Sequence, residues 1–458
     1  MRERAGIAAG RLTARVIRLI RAGGATTMPG RVAAAVDPRI LAALGGRLPQ
    51  GVVLITGTNG KTTTARLLSA MLAHGGRRVV ANRAGANLPS GITSALLGAA
   101  TLSGRIGGDV GVFEVDEAAL PMVAEPLRPR VLVLGNLFRD QLDRYGEIDL
   151  VADRWRAALE RLDSGTVIYN ADDPLVSDVG RLHPAGRAFG IEDSGHSGTA
   201  LEHAADGRYC YRCGIPYTYT AVHLAHLGAY RCPSCGTTRP APEVTAERIQ
   251  LHRAAGGTFA LRASSESVLI QSRLPGLYNV YNVLAAAAAA LALGVPLEEI
   301  ATTVASFRPA FGRGEEILIE GQRVMMLLAK NPAGFNEVLR TVTASGKPIV
   351  GVIAINDLIA DGRDISWLWD VDFELLAGRC RAVVLSGLRA PEMAVRLKYA
   401  GLNGAAVAVE PDLERAVRLG LSHLDGGETL YVMPTYTAML ALRAALTRRG
   451  FVRSSWED

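Results

Sequence analysis

Lysine is scarce in this chain: among 458 residues only Lys61, Lys330, Lys347 and Lys398 occur, and arginine supplies nearly all of the positive charge. The net charge of +6 is mild and does not by itself point to nucleic acid. Long apolar runs are missing too. The longest, Val283 to Val295, is too short and too rich in alanine to span a bilayer. No secretory leader is legible, because arginines at positions 2, 4, 11, 15, 18 and 21 interrupt any apolar stretch near the N-terminus. A cytoplasmic protein is expected. Histidine is absent between His252 and His423 and after His423, and only five cysteines occur.

What is present describes an ordinary globular protein. With 49% hydrophobic and 21% charged residues, the chain can bury sizeable cores, and its length suggests two or three domains. The most informative stretch runs from Val52 to Thr64, VVLITGTNGKTTT. A β-branched strand, a glycine-hinged loop and a helix start build a phosphate site in that order. Gly57 and Gly60 let backbone N–H groups of Thr58, Asn59 and their neighbours turn toward an anion, and the helix N-terminus adds partial positive charge. Lys61 can reach the β- and γ-phosphates of a nucleoside triphosphate, Thr62 can ligate Mg²⁺, and Thr63 continues the helix. Ile55 stands where the generic P-loop has its first glycine. The plain alternative is a glycine turn before a helix.

Four cysteines form a second signal: Cys210-x2-Cys213, eighteen residues, then Cys232-x2-Cys235, each pair followed by glycine. Four thiolates at this spacing suit tetrahedral Zn²⁺ and leave no open position, so a structural site is expected rather than a catalytic one. Two disulfides are the poorer alternative in a cytoplasmic protein. A nucleic-acid-binding ribbon is the sharper one, supported by Tyr209, Tyr211, Arg212, Tyr217, Tyr219, Tyr230 and Arg231 but by no long basic tract. At the N-terminus, Arg11, Arg15 and Arg18 fall near one side of a helical pattern, with Ile7, Leu12, Val16, Leu19 and Ile20 elsewhere. Such a helix either touches the anionic inner face of the membrane or packs on the next domain.

Between these signals, strand-like and helical segments alternate, which implies a mostly parallel sheet with ligands at the carboxyl ends of its strands. Residues 110–115 read as a buried strand ending in Glu114, Asp116 and Glu117, where a site beside a P-loop needs a further magnesium ligand; solvated loop acids are the plain alternative. Residues 131–136 lead to Arg139 and Asp140, and 167–170 lead into an NADDP turn.

GTNGKTTT, Glu114, Asn136 with Arg139-Asp140, the NADDP turn and GLYNVYNVL at 276–284 together resemble the Mur ligase family of ATP-dependent amide-forming enzymes, in order over roughly residues 50 to 315. The resemblance implies that Asn279 and Asn282 lie near the adenine, that Arg313 contacts the nucleotide, and that Glu114 holds Mg²⁺. The departures are informative. Gln141 stands where most members have a metal-binding histidine, and Tyr278 replaces another histidine. No lysine lies between Lys61 and Lys330, so the carbamylated lysine usual in that family has no counterpart. The four-cysteine ribbon, LAKNPAG at 328–334 and NDLIADGRDISW at 356–367 resemble the MurT branch. That branch implies amidation of the α-carboxylate of D-glutamate in lipid II, with ammonia from a GatD-type class I glutamine amidotransferase. It also implies that Asp364 completes the partner's Cys–His pair, since a carboxylate orients the histidine of a triad. A turn held by its own Asx hydrogen bonds is the plain reading of residues 361–364.

A glutaminase needs an activated cysteine and a histidine. Four cysteines are committed to the ribbon, and Cys380 precedes an apolar strand without a nearby histidine, so a partner subunit fits that gap. Trp367 and Trp369 are core or interface anchors, and Lys330 and Asn331 follow an apolar run at a strand end facing the nucleotide cleft. The expected layout is an N-terminal helical segment over 1–48, a Mur ligase-type ATPase domain over 49–309 with the zinc-ribbon insert near 200–245, and a partner-binding C-terminal α/β domain over 310–458. A stand-alone Mur or folylpolyglutamate-type amino-acid ligase and a zinc-ribbon nucleic-acid-binding NTPase are the competing functions.

Overall fold

A computed structural model describes residues 2–19, 26–83, 85–139, 148–198, 200–201, 205–252, 255–308, 312–344, 346–402 and 406–452. Three helices come first, α1 (Arg2–Leu19), α2 (Met28–Val36) and α3 (Ile40–Gly45). The chain then alternates: β1 (Val52–Thr56), α4 (Lys61–His74), β2 (Val79–Ala81), α5 (Pro89–Ala99), β3 (Val110–Glu114), α6 (Leu120–Leu127), β4 (Val131–Leu134), α7 (Ile148–Leu159), β5 (Thr166–Asn170), α8 (Pro174–Gly180) and β6 (Gly186–Ile191). After a hairpin of β7 (Thr218–Leu224) and β8 (Leu227–Arg231), three strands follow, β9 (Val244–Leu251), β10 (Gly257–Ala263) and β11 (Glu266–Ser272). Two helices, α9 (Leu277–Ala292) and α10 (Leu297–Ser306), close this part.

The nine strands other than the hairpin form one sheet in the order β11-β10-β9-β6-β5-β4-β1-β3-β2. From β2 to β9 the neighbours are parallel, and the two pairings of β10, with β9 and with β11, are antiparallel. Both faces are covered, so β1 is buried at every position and its aliphatic residues split by alternation. Val53 and Ile55 join the core under α4 and α9, while Val52 and Leu54 join the core on the other face. The chain moves from β3 on one side of β1 to β4 on the other, and that reversal opens a crevice at the end of β1. The alanine-rich run 285–290 is the buried flank of α9, where small side chains let it pack closely on α4 and the sheet.

A second sheet, ordered β12-β13-β17-β14-β15-β16, is built from β12 (Arg313–Ile319), β13 (Gln322–Leu327), β14 (Ile349–Ala354), β15 (Cys380–Ser386), β16 (Val407–Val409) and β17 (Thr429–Pro434). Only β12 is antiparallel to its neighbour. Helices α11 (Pro332–Thr343), α12 (Ala390–Tyr399), α13 (Leu413–Ser422) and α14 (Tyr436–Arg448) cover it, with a core on each face. The fold is thus α/β throughout, a mainly parallel P-loop sheet carrying an insert and followed by a smaller α/β unit. Among the described residues, no helix is long and apolar enough to cross a membrane.

Candidate active site

The loop between β1 and α4 adopts the conformation its glycines allow. Gly57 and Gly60 have φ of +144° and +85°, and no side chain caps the start of α4. Its first-turn N–H groups therefore face the crevice, which suits an anion. Asn136, at the end of β4, braces the loop from beneath: its Oδ1 accepts from Asn59 N at 2.8 Å and its Nδ2 donates to Asn59 O at 3.1 Å. Thr58 points away from the crevice, exchanging hydrogen bonds with the backbone of Phe138.

Lys61 is nearly buried, and its ammonium donates to Gly57 O at 2.6 Å and to Glu117 Oε2 at 2.8 Å. The Thr62 hydroxyl donates to Glu114 Oε2. Asn82 fixes the backbone of Glu114 through reciprocal bonds of 2.9 Å, so the carboxylate has a set origin. A hydroxyl and a carboxylate oxygen already within hydrogen-bond reach are hard donors on one side of the loop. They fit a small divalent cation such as Mg²⁺. On the other side stands α9. Asn282 Oδ1 would lie 1.9 Å from a Cβ at Gly60, and Asn282 Nδ2 donates to Asn279 Oδ1 at 2.9 Å. Asn59, Lys61, Asn136, Tyr281 and Asn282 line one cavity here. The second sheet reaches the loop as well: Asn331, capping α11, exchanges side-chain hydrogen bonds with Asn59 at 3.0 and 3.3 Å.

The four cysteines lie in the crossover from β6 to β9. Their sulfurs are all within 4.8 Å of one another, with Cys210 to Cys235 at 3.5 Å and Cys213 to Cys232 at 3.4 Å. A tetrahedron of sulfurs about 2.3 Å from a central ion has edges of roughly 3.8 Å, so the four thiols fit a metal of that size. No disulfide is formed. The Thr237 hydroxyl, at 3.1 Å, and its backbone hold the Cys235 thiol down at about 6. Tyr217 and Tyr230 are buried with Cys210 and Cys232 in a small core, ring centroids 5.2 Å apart, and do not form a stacking platform for bases. Arg212 is tied to Asp178 of α8.

The chain matches the models of two protein families: the Mur ligase middle domain over residues 55–230 and the MurT ligase C-terminal domain over residues 328–439. It is 32% identical over 449 residues to the MurT subunit of lipid II isoglutaminyl synthase (glutamine-hydrolyzing) from Streptococcus pneumoniae, covering 98% of each chain. The corresponding Staphylococcus aureus (strain COL) subunit is also 32% identical, over 451 residues and 98% of each chain. The chain belongs to the MurT family. Among solved structures, a pseudomurein peptide ligase type C from Methanothermus fervidus shares the fold at a TM-score of 0.67 and 24% identity, covering 88% of this chain and 80% of that one. Folylpolyglutamate synthase from Mycobacterium tuberculosis does so at 0.61 and 17%, over 91% and 95%.

In this MurT-family chain, the residues expected around the nucleotide come together: Gly57, Thr58, Asn59, Gly60, Lys61, Thr62, Thr63 and Glu114 form one loop-and-strand-end cluster, with Asn282 against it and Asn279 behind. Arg313 opens β12 opposite Leu327, and its side chain, like Asp140 and Gln141, lies outside the described residues. Asp364 is elsewhere. It is exposed in the loop after β14, and the Ser366 backbone N–H, at 2.8 Å, lowers its pKa from the ordinary carboxylate value. Asp361, three residues earlier in the same loop, is buried instead; burial raises its pKa while the Thr437 backbone N–H donates to it at 2.8 Å. The first acid of DGRD therefore fastens the loop to α14 and the second is presented outward. Cys380 is half-buried on β15, and burial pushes its thiol up to about 11, unsuited to a nucleophile.

Two features escaped the sequence. Glu117, visible only as one of three acids, is the ion-pair partner of Lys61. The NADDP turn is a buried hub: Asp172 accepts from Arg239 at 2.6 Å and from the Tyr281 hydroxyl at 2.7 Å, and Asp173 accepts from Leu137 N at 2.8 Å. His226, at the tip of the β7–β8 hairpin, sits 3.4 Å from Asp173 and packs on Phe138. The insert is thereby joined to the loop residues that hold Thr58.

Proposed function

We propose that this chain is the ATP-dependent ligase subunit of a lipid II isoglutaminyl synthase, activating the α-carboxylate of D-glutamate in the stem peptide for amidation. A carboxylate does not react with ammonia at useful rates because its leaving group would be oxide. In the proposed reaction a carboxylate oxygen attacks the γ-phosphorus of ATP and ADP departs. Ammonia then attacks the acyl-phosphate carbon, phosphate leaves, and a proton is lost to give the amide. Positioning and charge neutralisation carry most of such catalysis. Lys61 exchanges Glu117 for phosphate oxygens, and the N–H groups from Gly60 to Thr63 cradle the chain of phosphates, those of Thr58 and Asn59 being held by Asn136 instead. Thr62 and Glu114 hold Mg²⁺, which neutralises charge on the transferred group when bound. Asn279, Asn282 and Arg313 hold the nucleoside end. The four cysteines hold a structural Zn²⁺. A GatD-type glutaminase supplies ammonia, with Asp364 completing its Cys–His pair.

The observation that carries this reading is the cluster of Lys61, Thr62 and Glu114 on a glycine-hinged helix start, in a chain related to MurT subunits along almost its whole length. Reconstitution tests it. The chain is combined with a candidate glutaminase, ATP, glutamine and lipid II, and the product is read by mass for replacement of a carboxyl OH by NH2. An unmodified stem peptide, with ammonia also supplied directly, would reject the reading.

A further inference from the structure

Helix α1 has two apolar faces, whereas packing on a protein body needs one. Gly6, Ile7 and Gly10 are buried where α1 meets α2 and α5, and Ile7 is fully covered. At about 100° per residue, Leu12, Val16 and Leu19 project from the opposite side. They are 64%, 46% and 82% exposed. Arg4 and Arg15 are exposed along one edge of that stripe. Arg11 stands beside them, donating to Ala100 O at 2.5 Å. That bond sets the turn after α5 against the helix, and the turn adds Leu102, 61% exposed, and the exposed Arg105. The helix has one acid, Glu3, which lies on the packing side in an ion pair with Arg47 at 2.6 Å. The outer face is therefore apolar and cationic without a compensating acid.

A second copy of the chain would meet this face with the same arginines, setting like charges together. A lipid surface with anionic headgroups satisfies both features at once. Its acyl region accepts the leucines and its phosphates the guanidinium groups. We propose that α1 and the turn after α5 lie on an anionic membrane surface, with Leu12, Val16, Leu19 and Leu102 below the headgroups and Arg4, Arg11, Arg15 and Arg105 among them. This deepens the ligase reading, on which the benefit of meeting a lipid-linked substrate rests, but the binding itself needs no substrate.

The test is vesicle flotation of the full chain, without lipid II, on phosphatidylcholine vesicles and on vesicles of phosphatidylcholine with phosphatidylglycerol. Binding is expected only to the anionic vesicles and should fall with added salt. Arg15→Gln should weaken it about fivefold, from about one headgroup interaction. Leu12→Ser with Leu19→Ser should weaken it by roughly tenfold or more. Melting temperature and ADP affinity, measured on the same variants, separate loss of the face from loss of the fold. Absence of flotation by the natural chain, or equal flotation by the variants, overturns the proposal. So does a dimer in light scattering that the double variant splits while vesicles are ignored. Failure of amidation in the reconstitution above would leave flotation unaffected, so the two ideas fall separately.

Discussion

Gly60→Ala probes the nucleotide loop through geometry alone. Gly60 holds φ at +85°, a left-handed conformation that costs a residue with a Cβ about 1–2 kcal/mol. The new Cβ would also stand 1.9 Å from Asn282 Oδ1, so that side chain must move and give up its 2.9 Å bond to Asn279. Loss of that bond adds about 1 kcal/mol, for a total of about 2–3 kcal/mol. At ~2–4 °C per kcal/mol for domains of this size, melting should fall by roughly 5–10 °C. Displacing Asn282 should weaken ADP by roughly tenfold, as about 1.4 kcal/mol of lost contact implies. Calorimetric titration of ADP with Mg²⁺ and a thermal melt give both numbers. The control is Gly76→Ala, because Gly76 has φ of +77° with nothing within 4 Å of its Cβ position. It should share the backbone cost and leave ADP affinity unchanged. Natural stability and affinity in Gly60→Ala, or an equal loss of affinity in Gly76→Ala, would refute the reasoning.

Lys61→Ala should abolish amidation even with free ammonia, because it removes the ammonium while leaving the Thr62–Glu114 pair; product mass reads it. Asp364→Asn should spare ammonia-driven amidation and remove the glutamine-driven reaction, since this exposed carboxylate lines no part of the nucleotide cavity; equal loss of both would reject the triad role. Cys235→Ser should lose the proposed zinc and lower the melting temperature, both measurable with a chromogenic chelator and a thermal melt. Metal release should rise as the pH falls, because thiolate ligands then compete with protons.

The phosphate loop was legible because its chemistry is local. A strand, two glycines in positive φ and a helix start with Lys61 fall within thirteen residues, and no distant contact is needed to read them. The four-cysteine cluster was legible for the same reason, each knuckle being a four-residue turn closed by glycine. Glu117 was not singled out, because one acid ends β3 and two more follow it, and only the 3-10 turn after that strand decides which one meets Lys61. Tyr281 and Asp172 are 109 residues apart, and nothing in either segment announces a buried hydroxyl–carboxylate bond. The aromatic residues of the insert lent support to the alternative of a nucleic-acid-binding ribbon. Yet a two-stranded hairpin without a sheet beneath it must make a core from its own side chains, and Tyr217 and Tyr230 serve that need. The arginines of α1 were visible, but which aliphatics turn inward depends on α2 and α5 beyond it.

Because Asp172 is fully buried and shared by Arg239, Tyr281 and the backbone of Ile191, the cysteine-bearing excursion is not a detachable ornament. Shortening the chain to join β6 directly to β9 would remove the guanidinium and leave a carboxylate stranded in the interior, a change worth several kcal/mol. The same cut would withdraw His226 from beside Asp173, under the strand end that steadies Thr58. The insert is thus tied to the cleft at two places, through Arg239 at its root and His226 at its hairpin tip.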